Sequence, residues 1–222
     1  TPKPSSAASD VYKRQDELLS GIAAVLDEPS TSGHFIYAYL PQFDSAAHEY
    51  GCTAEPSRKT LAQLDALYAD LVARLAALDT LVIATADHGF IDVPDVQHLR
   101  LENFPDLAAL LDTPLTGEPR VAFCKVRSGL DEAFDALADR LLGDAFECHR
   151  SADLIDAGYF GPTPGNVLRS RIGSHTLIGR DRYCLTQTLP GEHPPGFIGM
   201  HGGVHADEMR VSVSAAFRGA PI

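Results

Sequence analysis

The stretch that decides the fold is Leu81–Phe90, which reads L-V-I-A-T-A-D-H-G-F. Leu81, Val82 and Ile83 make a short apolar run of the kind that forms a strand buried on both faces. Asp87 and His88 fall where such a strand runs out into a loop, and Gly89 permits the backbone to bend there. In open α/β sheets, ligands and chemistry collect at the carboxyl ends of the strands. An acid and an imidazole placed at that point suggest a metal site.

Working upstream, Ser57 to Leu78 is the clearest helix, because Leu61, Leu64, Leu67, Tyr68, Leu71, Val72, Leu75 and Leu78 recur every three or four residues. Before it, Phe35 to Leu40 (FIYAYL) predicts an aromatic-rich strand that Pro41 ends, with a loop following. Strand, helix and strand over 35–85 predict a βαβ unit with parallel strands and a right-handed crossover. Asp44 and Asp87 then lie beyond two strands at one edge of the sheet. Asp16 to Glu28 predicts a further helix, with Leu18, Leu19, Ile22, Val25 and Leu26 on one stripe and Pro29 as its stop. Residues 1–15 are polar and aperiodic and read as a disordered or foreign leader. The domain proper is expected over 16–222, as the later part of a longer catalytic domain.

Downstream, the pattern predicts short helices at Pro105–Leu111 and Ser151–Ala157, strands at Arg120–Val126 and Ala145–Cys148, and an amphipathic helix at Ser128–Leu142. In that last helix Ser128 and Asp131 stand at capping-box-like spacing and Gly143 is the stop. This block, 98–160, carries no clustered chemistry and reads as a small α+β insertion or lid. His175–Gly179 and Tyr183–Thr188 predict paired strands turning near Arg180-Asp181. Leu189–Gly199 is rich in Pro and Gly and is expected to be exposed, and Val211–Phe217 is the last strand.

Composition limits the partners. The 222 residues carry 18 Lys+Arg against 30 Asp+Glu, a net charge of -12. That balance argues against a nucleic-acid polymer or an anionic membrane surface as partner, since both demand a basic footprint. An anionic small molecule is still compatible, because bound divalent cations invert a local field. The four cysteines, Cys52, Cys124, Cys148 and Cys184, lack C-x-x-C spacing and read as reduced or buried thiols. No run reaches membrane-spanning length and no signal-peptide pattern opens the chain, so the expectation is cytoplasmic.

Three segments hold nearly all the clustered Asp and His: Asp44-x-x-x-His48-x-x-Gly51, Asp87-His88-Gly89, and His201-Gly202-Gly203 with His205 nearby. Each alone has a bland explanation, as a helix surface pair, a turn or a loop. Together in one chain they point to a bound cation. Carboxylates and imidazoles suit Zn²⁺, with Mn²⁺ or Fe as competitors. His34 precedes a strand and is expected in packing or at the surface, and His98, His149, His175 and His193 have no partners at metal spacing and are expected at the surface.

These segments resemble the metal motifs of the alkaline phosphatase superfamily, in particular its type I phosphodiesterase/nucleotide pyrophosphatase branch. That branch carries D-x-x-x-H-x-x-G, an A-D-H-G after a strand, and a late His-Gly motif often written H-G-G-x-x-x-x-E-M. This chain has H-G-G-V-H-A-D-E-M at 201–209. The resemblance implies an alkaline-phosphatase-like three-layer α/β/α fold with a mostly parallel sheet. It implies hydrolysis of phosphate mono- or diesters with two divalent metals. Carried over, Asp44, His48 and His201 would hold one metal, and Asp87 and His88 half of the other. The family's Thr or Ser nucleophile, and the Asp that completes the second site, have no visible counterpart, so the chain alone is expected to turn over weakly or not at all. His205 ranks below His201 as a ligand, and Glu208 and Met209 read as packing residues. Alternatives are a cofactor-independent phosphoglycerate mutase or sulfatase-like member of the superfamily, or a non-catalytic metal-binding domain.

Overall fold

The structure, a computed structural model, describes residues 17–193 and 196–218, so the leader at 1–15 lies outside it. In chain order, helix α1 covers 17–26. It is followed by α2 (Gln42–Tyr50), α3 (Glu55–Arg74), β1 (Thr80–Thr85), β2 (Ile91–Asp92), β3 (His98–Arg100) and α4 (Pro105–Ala108). Next come β4 (Thr116–Glu118), β5 (Val121–Cys124), α5 (Asp131–Leu142), β6 (Phe146–Arg150), α6 (Ser151–Asp156) and α7 (Leu168–Ile172). The chain closes with β7 (His175–Gly179), β8 (Cys184–Thr186), β9 (Gly199–Met200), α8 (Ala206–Met209) and β10 (Val213–Arg218). The result is a mixed α/β architecture in two compact units. One holds Thr1–Ala46, Thr53–Thr85 and Val213–Ile222, and the other Ala47–Cys52 and Ala86–Ser212.

In the first unit α3 begins with Pro56 in its first turn, where a missing N–H costs nothing. It ends with Arg74 in the last turn, paired to Asp70 at 2.8 Å. Only Leu67 of its apolar stripe is buried within the helix, with Leu75 buried just past its end. β1 spans the residues expected, but its partner differs. It pairs antiparallel with β10 along its whole length, from Thr80↔Arg218 to Thr85↔Val213. The expected parallel partner at 35–40 carries no strand, and Phe35 is 94% exposed. Extended chain becomes a strand only when its N–H and C=O groups ladder to a neighbour. Among the described residues that partnership goes to β10. The βαβ expectation therefore fails, and β1 alternates between half-buried and exposed positions.

The second unit is built on an antiparallel sheet in the order β4-β5-β7-β6. All five residues of β7 are buried. Phe134, Ala138 and Leu142 of α5 share one core with Ala122, Cys124, Phe146 and Leu177 of the sheet. β7 pairs with β5 on one edge and β6 on the other, so both of its ladders are filled. This is why the expected pairing of 175–179 with 183–188 does not form: β8 pairs parallel with β3 instead. The turn near Arg180-Asp181 is present, with Tyr183 N donating to Arg180 O at 2.9 Å and Asp181 at φ 41. α5 starts at Asp131 without a side-chain cap, so Ser128 does not serve as one, and Asp131 and Glu132 complement the helix dipole. His175 is fully buried rather than at the surface. Its Nδ1 lies 2.9 Å from Ser174 Oγ, its Nε2 3.0 Å from Asp135 Oδ1, and its ring 4.8 Å from that of Phe134.

Candidate metal centre

α2 replaces the loop expected after Pro41. The helix sets Asp44 in its first turn, where a carboxylate suits the dipole, and His48 one turn later on the same face. The boundary between the two units falls inside this helix, so Asp44 belongs to the first unit and His48 to the second.

Within the second unit a two-residue ladder brings the other motifs together. β2 and β9 pair antiparallel, Ile91 with Met200 and Asp92 with Gly199. His88, just before β2, and His201, just after β9, therefore arrive at the same place. Their rings stack at 3.7 Å with 12° between planes. The His48 ring stands 5.1 Å from that of His201. Phe90, which sequence reasoning passed over, packs against all three imidazoles: 5.1 Å from His48, 5.2 Å from His88 and 5.1 Å from His201. Its position two residues after His88 was the signal that could have found it. Phe197 adds a further ring 4.6 Å from His48.

The imidazoles are oriented by backbone. His48 Nδ1 lies 2.8 Å from Gly199 O, and a nitrogen facing a carbonyl must donate. That fixes the tautomer and makes Nε2 the nitrogen with the lone pair. His88 Nδ1 likewise faces Gly89 O at 3.0 Å, and its Nε2 lies 3.6 Å from Asp87 Oδ1. Asp87 itself is largely exposed. Gly89 is needed for close approach rather than for a bend. Its N donates to Glu208 O at 2.7 Å, and a Cβ there would sit 1.9 Å from Asp207 O. His205 caps α8, its Nδ1 accepting from Asp207 N at 3.2 Å.

The family profile described as type I phosphodiesterase / nucleotide pyrophosphatase matches residues 3–203. The chain belongs to that family. Its fold is alkaline-phosphatase-like, as solved structures show. Murine ectonucleotide pyrophosphatase/phosphodiesterase 5, solved as such and as an inactive variant in complex with AMP, superposes at a TM-score of 0.64 and 15% identity, covering 90% of this chain and 51% of that one. The human ectonucleotide pyrophosphatase/phosphodiesterase 5 superposes at 0.59 and 17% identity, covering 78% and 44%. The chain thus spans about half the length of these solved relatives. A search of curated proteins finds no match.

The thiols of this family member are held neutral. Cys52 is pushed up to about 12, by burial first and then by hydrogen bonding to Asp92. Burial likewise pushes Cys184 up to about 12, and burial with Asp135 nearby pushes Cys148 up to about 11. The raised values disfavour a free thiolate nucleophile at neutral pH. Among the described residues, no helix is long and apolar enough to cross a membrane.

Proposed function

We propose that the chain carries the metal-holding part of a hydrolase of phosphate mono- or diesters, with a small phosphate ester as substrate. The observation that carries this is the convergence of His48, His88 and His201 on Phe90. Two of those rings are oriented by backbone carbonyls, the arrangement by which proteins usually orient metal-ligating histidines. Imidazoles together with the motif carboxylates Asp44 and Asp87 make a mixed N/O donor set that fits zinc, with manganese or iron as competitors. In this assignment Asp44, His48 and His201 hold one ion, and Asp87 and His88 contribute to a second. Bound ions would supply charge neutralisation at phosphorus and an acidified hydroxyl or water as nucleophile. His48 presents Nε2 because its Nδ1–H donates to Gly199 O, and Phe90 packs its ring against all three imidazoles. Asp87, being exposed, remains within reach of a ligand.

The test is hydrolysis of nitrophenyl phosphate mono- and diesters by the purified chain, with zinc removed by chelation and then restored. We expect slow turnover that requires the metal and vanishes in His201→Ala. Robust turnover that survives chelation would contradict the assignment.

A further inference from the structure

Among the described residues, one arginine and one carboxylate are essentially excluded from solvent, and they bind each other: Arg120 at 0% and Glu208 at 2% exposure. Arg120 Nη2 reaches Glu208 Oε2 at 2.9 Å, and Nε shares both carboxylate oxygens at 3.1 and 3.2 Å. The rest of the guanidinium is also used. Nη2 donates to Asp181 O at 2.8 Å, and Nη1 donates to Tyr183 O. Room for the pair is left by glycine on both sides. A Cβ at Gly179 would meet Arg120 Nη1 at 2.7 Å, and one at Gly203 would meet Glu208 Oε2 at 2.6 Å.

A buried ion pair is poor evidence of stabilisation, because apolar residues of similar volume often do as well or better. What this pair connects is more informative. Glu208 Oε1 accepts from Gly203 N at 2.9 Å, two residues from His201. Glu208 O accepts from Gly89 N at 2.7 Å, next to His88. Arg120 stands just before β5, and its own carbonyl accepts from Gly179 N of β7 at 2.8 Å. One residue thus ties both histidine loops together, and its counter-ion anchors it to the packed sheet.

Building on the proposed metal centre, we propose that Arg120 and Glu208 are a positioning pair. They hold the His88 and His201 loops in register through the Gly89 and Gly203 amides and touch neither ion nor substrate. Arg120→Lys keeps the charge but loses the planar fork that spans the carboxylate and two carbonyls. The double variant Arg120→Met with Glu208→Leu replaces the pair by apolar volume and is expected to fold.

The test has two arms. In metal-free protein, Arg120→Lys should speed amide exchange at Gly89 and Gly203 by about tenfold or more while exchange in Val121–Cys124 and His175–Gly179 stays unchanged. In zinc competition, both Arg120→Lys and the double variant should lose about 10–100-fold in affinity per folded molecule. Uniform acceleration of exchange, or unchanged exchange at both glycines, would overturn the proposal, as would a folded double variant with parental zinc affinity. If the parent binds no zinc, the metal assignment fails, and the exchange arm alone decides whether the pair positions the loops.

Discussion

Strands β1 and β7 both carry apolar sequence, and they are treated very differently. β7, with the residues His175–Gly179, is buried at every position and laddered on both edges. β1 has the more obvious strand sequence, yet Leu81 is 55% exposed and Ile83 58%. Their same-face neighbours across the ladder, Phe217 and Ala215, are exposed as well. An apolar run therefore reports the capacity for burial, and the partner supplied decides whether that capacity is used. The three histidines of the proposed site lie in the same unit as β7. The His88 and His201 loops are tied by Glu208 and Arg120 to the same sheet that contains β7.

The contrast predicts a large difference in mutational cost. Phe134→Ala, at a fully buried position in the β7 core, should destabilise by about 3–5 kcal/mol. Ile83→Ala in β1 should cost under about 1 kcal/mol, because much of that side chain already meets water. Urea unfolding of the two variants measures both, and equal costs would erase the distinction.

Acid sensitivity should sort the same way. Burial, opposed in part by Asp135, holds the His175 imidazole below the usual histidine range, and burial does the same to His98. Asp131 raises it slightly and Arg150 lowers it. The folded state therefore binds these protons less readily than the unfolded state. Stability is intact above the ordinary histidine value near 6.5 and falls as pH drops below it toward the depressed folded values. Urea midpoints taken between pH 7.5 and pH 5 should fall, and His175→Gln should flatten that slope. A slope unchanged by His175→Gln would place the acid sensitivity elsewhere.

The smallest effect concerns the thiols. Cys184 is buried in a cluster with Ile91, Val93 and Met200. Native protein should resist alkylation at neutral pH at Cys124 and Cys184, with Cys52 slow and speeding up only as pH climbs toward its raised value of about 12. Mass-spectrometric mapping of labelled thiols reads this directly. Rapid labelling of Cys184 would show that its packing opens easily.

How much of this was legible beforehand follows from the range of the interactions. β1 and α5 came close to their expected bounds because apolar periodicity is a local signal. Partners were not legible, because pairing is decided by residues more than a hundred positions away, as with β1 and β10. α2 was missed because Q-F-D-S-A-A-H-E-Y lacks a broad apolar stripe, only Ala47 being buried. The motif residues His48, His88 and His201 were found by spacing and family resemblance. Phe90 was passed over although it stands two residues after His88, and Arg120 and Glu208, proposed to position those loops, were not found, since a buried counter-ion leaves no spacing to read.

The central proposal is that His48 and His201 serve one ion while His88 contributes to a second, and zinc affinity tests it most directly. Competition against a chromophoric chelator should show that the parent chain holds about one zinc tightly, as a three-ligand site does. His48→Ala and His201→Ala, each checked to be folded, should each weaken it at least about tenfold, and His88→Ala should leave it nearly unchanged. A parent that binds no zinc, or tight binding that survives both His48→Ala and His201→Ala, would contradict the account.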